Sequence, residues 1–174
     1  MTSGWVGSAA YGASAAGWGE AGEWTVEGWM SIAGSMVGQL RIASRFSMQG
    51  GTNWIAQTNN ANVGLFCSNT NYAYTSNNPI IPNRAYHVAV RRSPAGFDLF
   101  LDGARVVRIS PPSVGAGTKF QIGSCVYGGG DFTGTLDEFA CYSVALTDEA
   151  ILESYTRGNA TPTTTPFSGW GLPI

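Results

Sequence analysis

A handful of acids and aromatics, together with a single histidine, are the residues of this chain whose types and spacing suggest chemistry. Asp137 and Glu138 are adjacent in DFTGTLDEFACYSVALTDEAILESYTRG, residues 131 to 158. Period-2 alternation sends Asp137 to one side with Phe139 and Cys141, and Glu138 to the other with Ala140 and Tyr142. A carboxylate beside Phe139 and Cys141 is expected to be partly buried, and so must be paired, hydrogen-bonded or bound to a metal. Upstream, EWTVEGWMSIA (residues 23 to 33) alternates as well. Trp24, Val26, Gly28, Met30 and Ile32 form its core face, and Glu27 and Trp29 stand on the other.

Two kinds of chemistry suit such residues. Aromatic faces with a few polar groups suit sugar rings, whose C–H faces stack while their hydroxyls hydrogen-bond. The same aromatics would equally serve to cover a sheet or pack on a partner. Retaining glycoside hydrolysis instead needs two carboxyls about 5 to 5.5 Å apart, for which Glu27 and Glu138 are the available pair. His87 is the only histidine, and no Ser or Cys has a G-x-S-x-G context, so other hydrolase chemistries lack support. A hard cation wants six or more oxygens, and the first 23 residues offer few carboxylates beyond Glu20 and Glu23.

The elements that must position these residues are almost all strands. With 44% hydrophobic and 11% charged residues in 174, the chain is globular and fits one domain. Short runs at 38–46, 53–58, 61–67, 71–75, 85–93, 97–103, 104–109 and 118–124 are separated by Gly, Asn and Ser clusters. Asp102-Gly103 predicts a type I′ hairpin turn. About ten strands at this spacing predict an all-β fold, a two-sheet antiparallel β-sandwich jelly roll. One short helix follows the last strand, with Thr147 as N-cap, Asp148 and Glu149 in the first turn, Ile151, Leu152 and Tyr155 as its buried stripe and Gly158 as its terminator. Residues 1–22 read as a Gly/Ala-rich arm or edge strand, 23–158 as the jelly roll, and 159–174 as a Thr/Pro-rich tail with apolar anchors.

Composition also excludes partners. A net charge of −2 with no basic cluster longer than Arg91-Arg92 leaves no footprint for nucleic acid or an anionic membrane. No apolar run is long enough for a signal peptide or a membrane span. Cys67, Cys125 and Cys141 are an odd count without C-x-x-C spacing, which points to buried free thiols and synthesis in a reducing compartment.

Three stretches resemble the laminin G-like branch of the concanavalin A-like lectin/glucanase superfamily: EWTVEGWM (23–30), AYHVAVRRSPAGFDLFLDGARV (85–106) and FTGTLDEFACYSVALTDEAI (132–151). They fall in that family's order, with Ala85 where a Trp is usual. The resemblance implies a jelly roll with the helix after its last strand. It also implies that the strands of Glu27 and Glu138 are neighbours, so that Glu27, Trp29, Glu138 and Tyr142 line one floor, with His87 and Phe100 as additions. It further implies a structural calcium at Asp137, against the alternative of a plain hydrogen-bonded acid. The glucanase branch's E-x-D-x-x-E strand is absent, which makes a glucanase the remotest reading.

The function expected from the sequence is a non-enzymatic structural or adhesion module of a virion, a capsid decoration or tail-associated protein of a bacteriophage made in the host cytoplasm. Its partners would be other virion proteins or copies of itself, and host surface carbohydrate. The alternative is a free or secreted carbohydrate-binding lectin domain.

Overall fold

The computed structural model describes residues 5–6, 10–12, 22–34, 39–47, 51–67, 71–75, 80–110, 119–123 and 132–159. Two six-stranded antiparallel sheets face each other, with one helix after the last strand. The first sheet runs in the order β1 (Trp5–Val6), β12 (Gly134–Tyr142), β3 (Trp24–Ile32), β8 (Ala85–Ser93), β9 (Gly96–Leu101) and β10 (Ala104–Ile109). The second runs β2 (Ala10–Gly12), β11 (Lys119–Ile122), β4 (Arg41–Ser47), β5 (Gly51–Asn59), β6 (Asn62–Cys67) and β7 (Asn71–Tyr74). The expected all-β sandwich is therefore the observed fold. Residues 5–6 and 10–12 form the edge strands beside β12 and β11; of the expected tail, 159–174, Asn159 belongs to the helix and residues 160–174 lie outside the described residues.

Alternation builds the core between the sheets. Trp24, Val26, Met30 and Ile32 of β3 meet Trp54, Leu65 and Phe120 of the second sheet. The Trp24 and Trp54 rings lie 4.9 Å apart, and Phe97 meets Trp24 edge-on at 5.8 Å. The Asp102-Gly103 turn has φ of 51° and 76°, the two left-handed residues that a type I′ hairpin requires.

The helix α1 (Asp148–Asn159) lies on the outer face of the first sheet. Thr147 caps it, its Oγ1 accepting the Ala150 N–H at 3.2 Å. Ile151 is buried against Ala89 and Phe100, a second small core beneath the helix. The rest of the expected stripe is corrected: Tyr155 is half-buried and Leu152 is half exposed. Gly158 is not a terminator either, because the helix runs on to Asn159. A Cβ at Gly158 would collide with Cζ2 of Trp29, so this glycine lets the last turn lie on the indole.

Ion pairs hold the start of the helix. Arg91 Nη1 donates to Leu146 O and to Asp148 Oδ1, each at 2.7 Å. Thr25 Oγ1 donates to Val144 O and accepts from the Leu146 N–H, which fixes the link between β12 and the helix. Both anchors stand on the face of the first sheet that alternation alone leaves open.

Candidate functional site

β3 lies between β12 and β8, and their register gathers the polar residues of all three strands. Trp29 sits opposite His87 and Asp137, and Glu27 sits opposite Ala89 and Ala140. Together with the last turns of α1, these strands border an open cavity of about 410 Å3. Glu27, Trp29, His87, Glu138 and Tyr142 all line it, so the five residues anticipated from sequence are brought together. The helix adds Ser154, Arg157 and Gly158, which alternation along the strands could not supply. Phe100, the other anticipated addition, is not part of this lining and packs under Ile151 instead.

The strand β12 reaches this geometry through a bulge that sequence alternation misses. Asp137 pairs with Trp29 and Ala140 with Glu27, so Glu138 and Phe139 together oppose Gly28. Glu138 takes a left-handed φ of 51°, and its N–H donates to Asp137 Oδ1 at 2.9 Å, which offsets part of the strain. Phe139 turns to the core over Gly28, where a Cβ would meet its ring at 2.5 Å. Asp137 is therefore exposed on the Trp29 side, and the partly buried position expected for it is overturned.

The calcium expected at Asp137 would draw the rest of its oxygen shell from backbone carbonyls of the N-terminal strand, most of which lies outside the described residues. One oxygen of Asp137 serves the bulge, and no group of three or more His, Cys, Asp or Glu side chains suited to a metal occurs among the described residues.

Burial sets the electrostatics of the cavity. Tyr142 Oη donates to Glu27 Oε1 at 2.9 Å, and His87 Nε2 lies 3.6 Å from Glu27 Oε2. Both Glu27 and His87 are almost fully buried. The Trp29 and His87 rings meet edge-on at 5.3 Å, and Tyr155 of the helix closes on both. Burial pushes the His87 imidazole below its ordinary value, against the opposing pull of the Glu27 and Asp102 carboxylates. Burial and the hydrogen bond to Glu27 push the Tyr142 phenol up, which keeps its proton on the donor. Asp102 also fixes the strand beneath, accepting the His87 backbone N–H at 3.0 Å while pairing with Arg84 at 2.9 Å.

Two buried polar atoms in this cavity, Glu27 Oε2 and His87 Nδ1, have no hydrogen-bond partner. Native interiors leave few such atoms, so a guest with hydroxyl groups has something to satisfy here.

Because His87 is the only histidine, its titration dominates stability between pH 5 and 7. Its folded pKa is lowered, so just below about pH 6.5 the unfolded chain binds a proton that the folded chain refuses. The melting temperature is therefore expected to fall as pH drops from 7 to 5.5, and to change much less in His87→Gln. A flat or rising profile for the natural protein would contradict this.

Comparison with known proteins defines the class. The profile of the concanavalin A-like lectin/glucanases superfamily, laminin G type, matches residues 7–152. The chain belongs to that superfamily. No curated protein sequence matches it.

Solved structures share the fold at low identity. A mutant of Trypanosoma rangeli sialidase displaying trans-sialidase activity superposes with a TM-score of 0.66 at 14% identity, over 77% of this chain and 23% of the sialidase. A heptameric SAP-like pentraxin from Limulus polyphemus gives 0.60 at 17% identity, over 75% and 68% of the two chains. A putative carbohydrate binding protein from Bacteroides ovatus gives 0.58 at 17%, over 75% and 40%. The chain thus corresponds to less than a quarter of the sialidase.

Among the described residues no helix is long and apolar enough to cross a membrane. Of the thiols, Cys67 is free and buried, with its pKa pushed far up by that burial. Cys141 is free and exposed, contrary to the buried state expected, and Cys125 lies outside the described residues.

Proposed function

We propose that this chain is a non-enzymatic adhesion module that recognises sugar hydroxyls in the cavity between the first sheet and α1. The observation that carries the reading is the pair of buried, unpartnered atoms Glu27 Oε2 and His87 Nδ1 beside the Trp29 indole. The carboxylate oxygen accepts from a hydroxyl, the imidazole nitrogen exchanges a hydrogen bond with a second, and the indole meets the C–H face of the ring. The volume lies within the range of small-ligand sites, about 300–1,000 Å3. A lectin-like fold and the carbohydrate-binding protein among the similar structures agree with this chemistry.

A binding role fits the acids better than a hydrolytic one. Glycosidases hold both carboxyls in fixed positions. Here Glu27 is engaged by Tyr142, while the Glu138 carboxylate has no hydrogen-bond or ion-pair partner among the described residues and belongs to an exposed residue.

As its setting we propose a larger assembly, a virion built in the host cytoplasm as a capsid decoration or tail protein, in preference to a free secreted lectin. The free thiols favour this, since an exposed unpaired cysteine such as Cys141 suits a reducing compartment. Co-sedimentation of the purified chain with phage particles, and not with stripped capsid or tail lattices of unrelated phages, is the expected result. Failure to associate with any particle favours the secreted lectin.

On an array of neutral oligosaccharides the natural protein is expected to bind, and Trp29→Ala to lose about 2 kcal/mol, roughly thirty-fold in affinity. Since Trp29 also supports the helix, Ser154→Phe serves as a second variant, filling the cavity from the roof without removing a packing residue. Retained binding in both variants would reject the cavity as the sugar site.

A further inference from the structure

Charge around the cavity under α1 is lopsided. Its lining holds two carboxylates, Glu27 and Glu138, and one guanidinium, Arg157. Asp137 stands across from Trp29 on the same face of the sheet and is exposed, which adds a third carboxylate beside the cavity. Arg157 does not balance them, because its side chain is 72% exposed and shares its charge with Glu153, one turn back, at 3.5 Å. Burial holds the His87 imidazole below its ordinary value, so it stays neutral at pH 7. No lysine or arginine among the described residues pairs with Glu27 or Glu138.

The two lining acids are placed by different devices. Glu27 is 5% exposed; Tyr142 holds its Oε1, while its Oε2 has no hydrogen-bond partner and only the uncharged imidazole at 3.6 Å. A buried carboxylate with neither a cation nor a full set of donors is costly, so its field acts on whatever enters the cavity. Glu138 is exposed and owes its position to the β12 bulge, which sets it opposite Gly28, one residue from Glu27 on the neighbouring strand. The described His, Cys, Asp and Glu side chains form no group of three suited to a metal ion, so the acids border the space without converging on one point in it. A cation carried on an organic ring suits that spacing better than a bare ion. Trp29 and Tyr142 add aromatic rings, which attract a cation as well as a C–H face.

We propose that the sugar this cavity prefers is an amino sugar carrying a protonated amine. The inference rests on the sugar reading of the cavity and adds the charge of the guest. The ammonium pairs with the exposed Glu138 carboxylate, while Glu27, further in, accepts from a ring hydroxyl and adds its field. An N-acetylated sugar offers Glu138 only a neutral amide N–H. An acidic sugar meets a lining of the wrong sign, two carboxylates against one guanidinium.

The test is a titration of the full chain at pH 6.5 with the glucosamine trisaccharide and, separately, with its N-acetylated form, following the Trp29 indole and His87 ring signals by NMR. In low salt the amine form is expected to bind about ten-fold more tightly or better, and the preference should shrink as sodium chloride is raised to about 0.5 M. Glu138→Gln, at an exposed position, should bring the ratio of the two affinities close to one. Arg157→Gln, which removes the opposing cation, should widen it. Loss of folding cannot produce that pair of opposite shifts. Equal affinity for the two trisaccharides would overturn the amine preference and leave sugar recognition standing, whereas no shift with either would overturn both. A preference kept in Glu138→Gln, or a trilysine peptide that moves the same signals as tightly as the glucosamine trisaccharide, would also overturn the proposal.

Discussion

Replacing Asp98 by Ala is expected to cost about 3–5 kcal/mol of folding stability, the usual penalty for removing one partner of a buried ion pair. Asp98 is fully buried in β9 and receives Arg91 Nε at 3.1 Å and Nη2 at 2.6 Å. Arg108 adds Nε at 2.6 Å and Nη2 at 2.9 Å. Without the carboxylate, Arg91 remains buried and only the half-exposed Asp148 still faces it. For a chain of this size the loss corresponds to roughly 6–20 °C in melting temperature, readable by calorimetry. The helix is expected to loosen with it, since Arg91 also grips Leu146 and Asp148, so any sugar affinity of the cavity should fall in parallel. Acid acts on the same centre. Burial alone would push the Asp98 carboxyl up, but hydrogen bonds from Arg108 and Arg91 outweigh it and hold the group below the usual carboxylate range. Its stabilisation is therefore complete above about pH 4, the unfolded value, and is lost as pH falls below that. Asp98→Asn should flatten this acid limb.

Glu27→Gln is expected to separate function from stability. The substitution keeps shape and leaves an oxygen for the Tyr142 hydroxyl, which now donates to Glu27 Oε1. It removes a buried carboxylate oxygen that has no hydrogen-bond partner, an arrangement that costs a fold more than it contributes. Stability should therefore stay within about 1 kcal/mol of the natural protein or rise, as it does when binding groups are neutralised. Affinity for neutral oligosaccharide should drop at least about ten-fold, or 1.4 kcal/mol, because an amide N–H replaces the acceptor that the sugar hydroxyl requires. A variant that unfolds easily yet binds as before would show that Glu27 serves the fold alone.

Much of this architecture is legible in the chain itself, and the exceptions have physical causes. The strands 24–32 and 85–93 announce themselves by alternation, and Asp102-Gly103 announces the hairpin beside them. Once β12, β3 and β8 are neighbours, Glu27, Trp29, His87 and Tyr142 must share a face, and their meeting follows from register. Asp137 fails because the bulge resets alternation by one residue, and its left-handed residue is a glutamate, which carries no turn signal. Gly158 fails for a different reason. Glycine ends helices and also permits close packing, and only the Trp29 ring above it decides between the two.

The Asp98 centre had a signal that goes unused when strands are read singly. The Ser93-Pro94-Ala95-Gly96 turn sets Arg91 directly opposite Asp98, and opposed charges at paired positions are a cross-strand cue. The roof of the cavity, by contrast, is tertiary. Ser154 and Arg157 reach it only because the Arg91 and Thr25 anchors hold α1 against the sheet.

The most direct test of sugar recognition under α1 follows the His87 ring signals by NMR as a neutral oligosaccharide that binds the chain is added. The predicted result is a saturable shift of the His87 imidazole together with the Trp29 indole N–H, absent in Ser154→Phe. Binding of that sugar with both signals unmoved would contradict the assignment of the cavity.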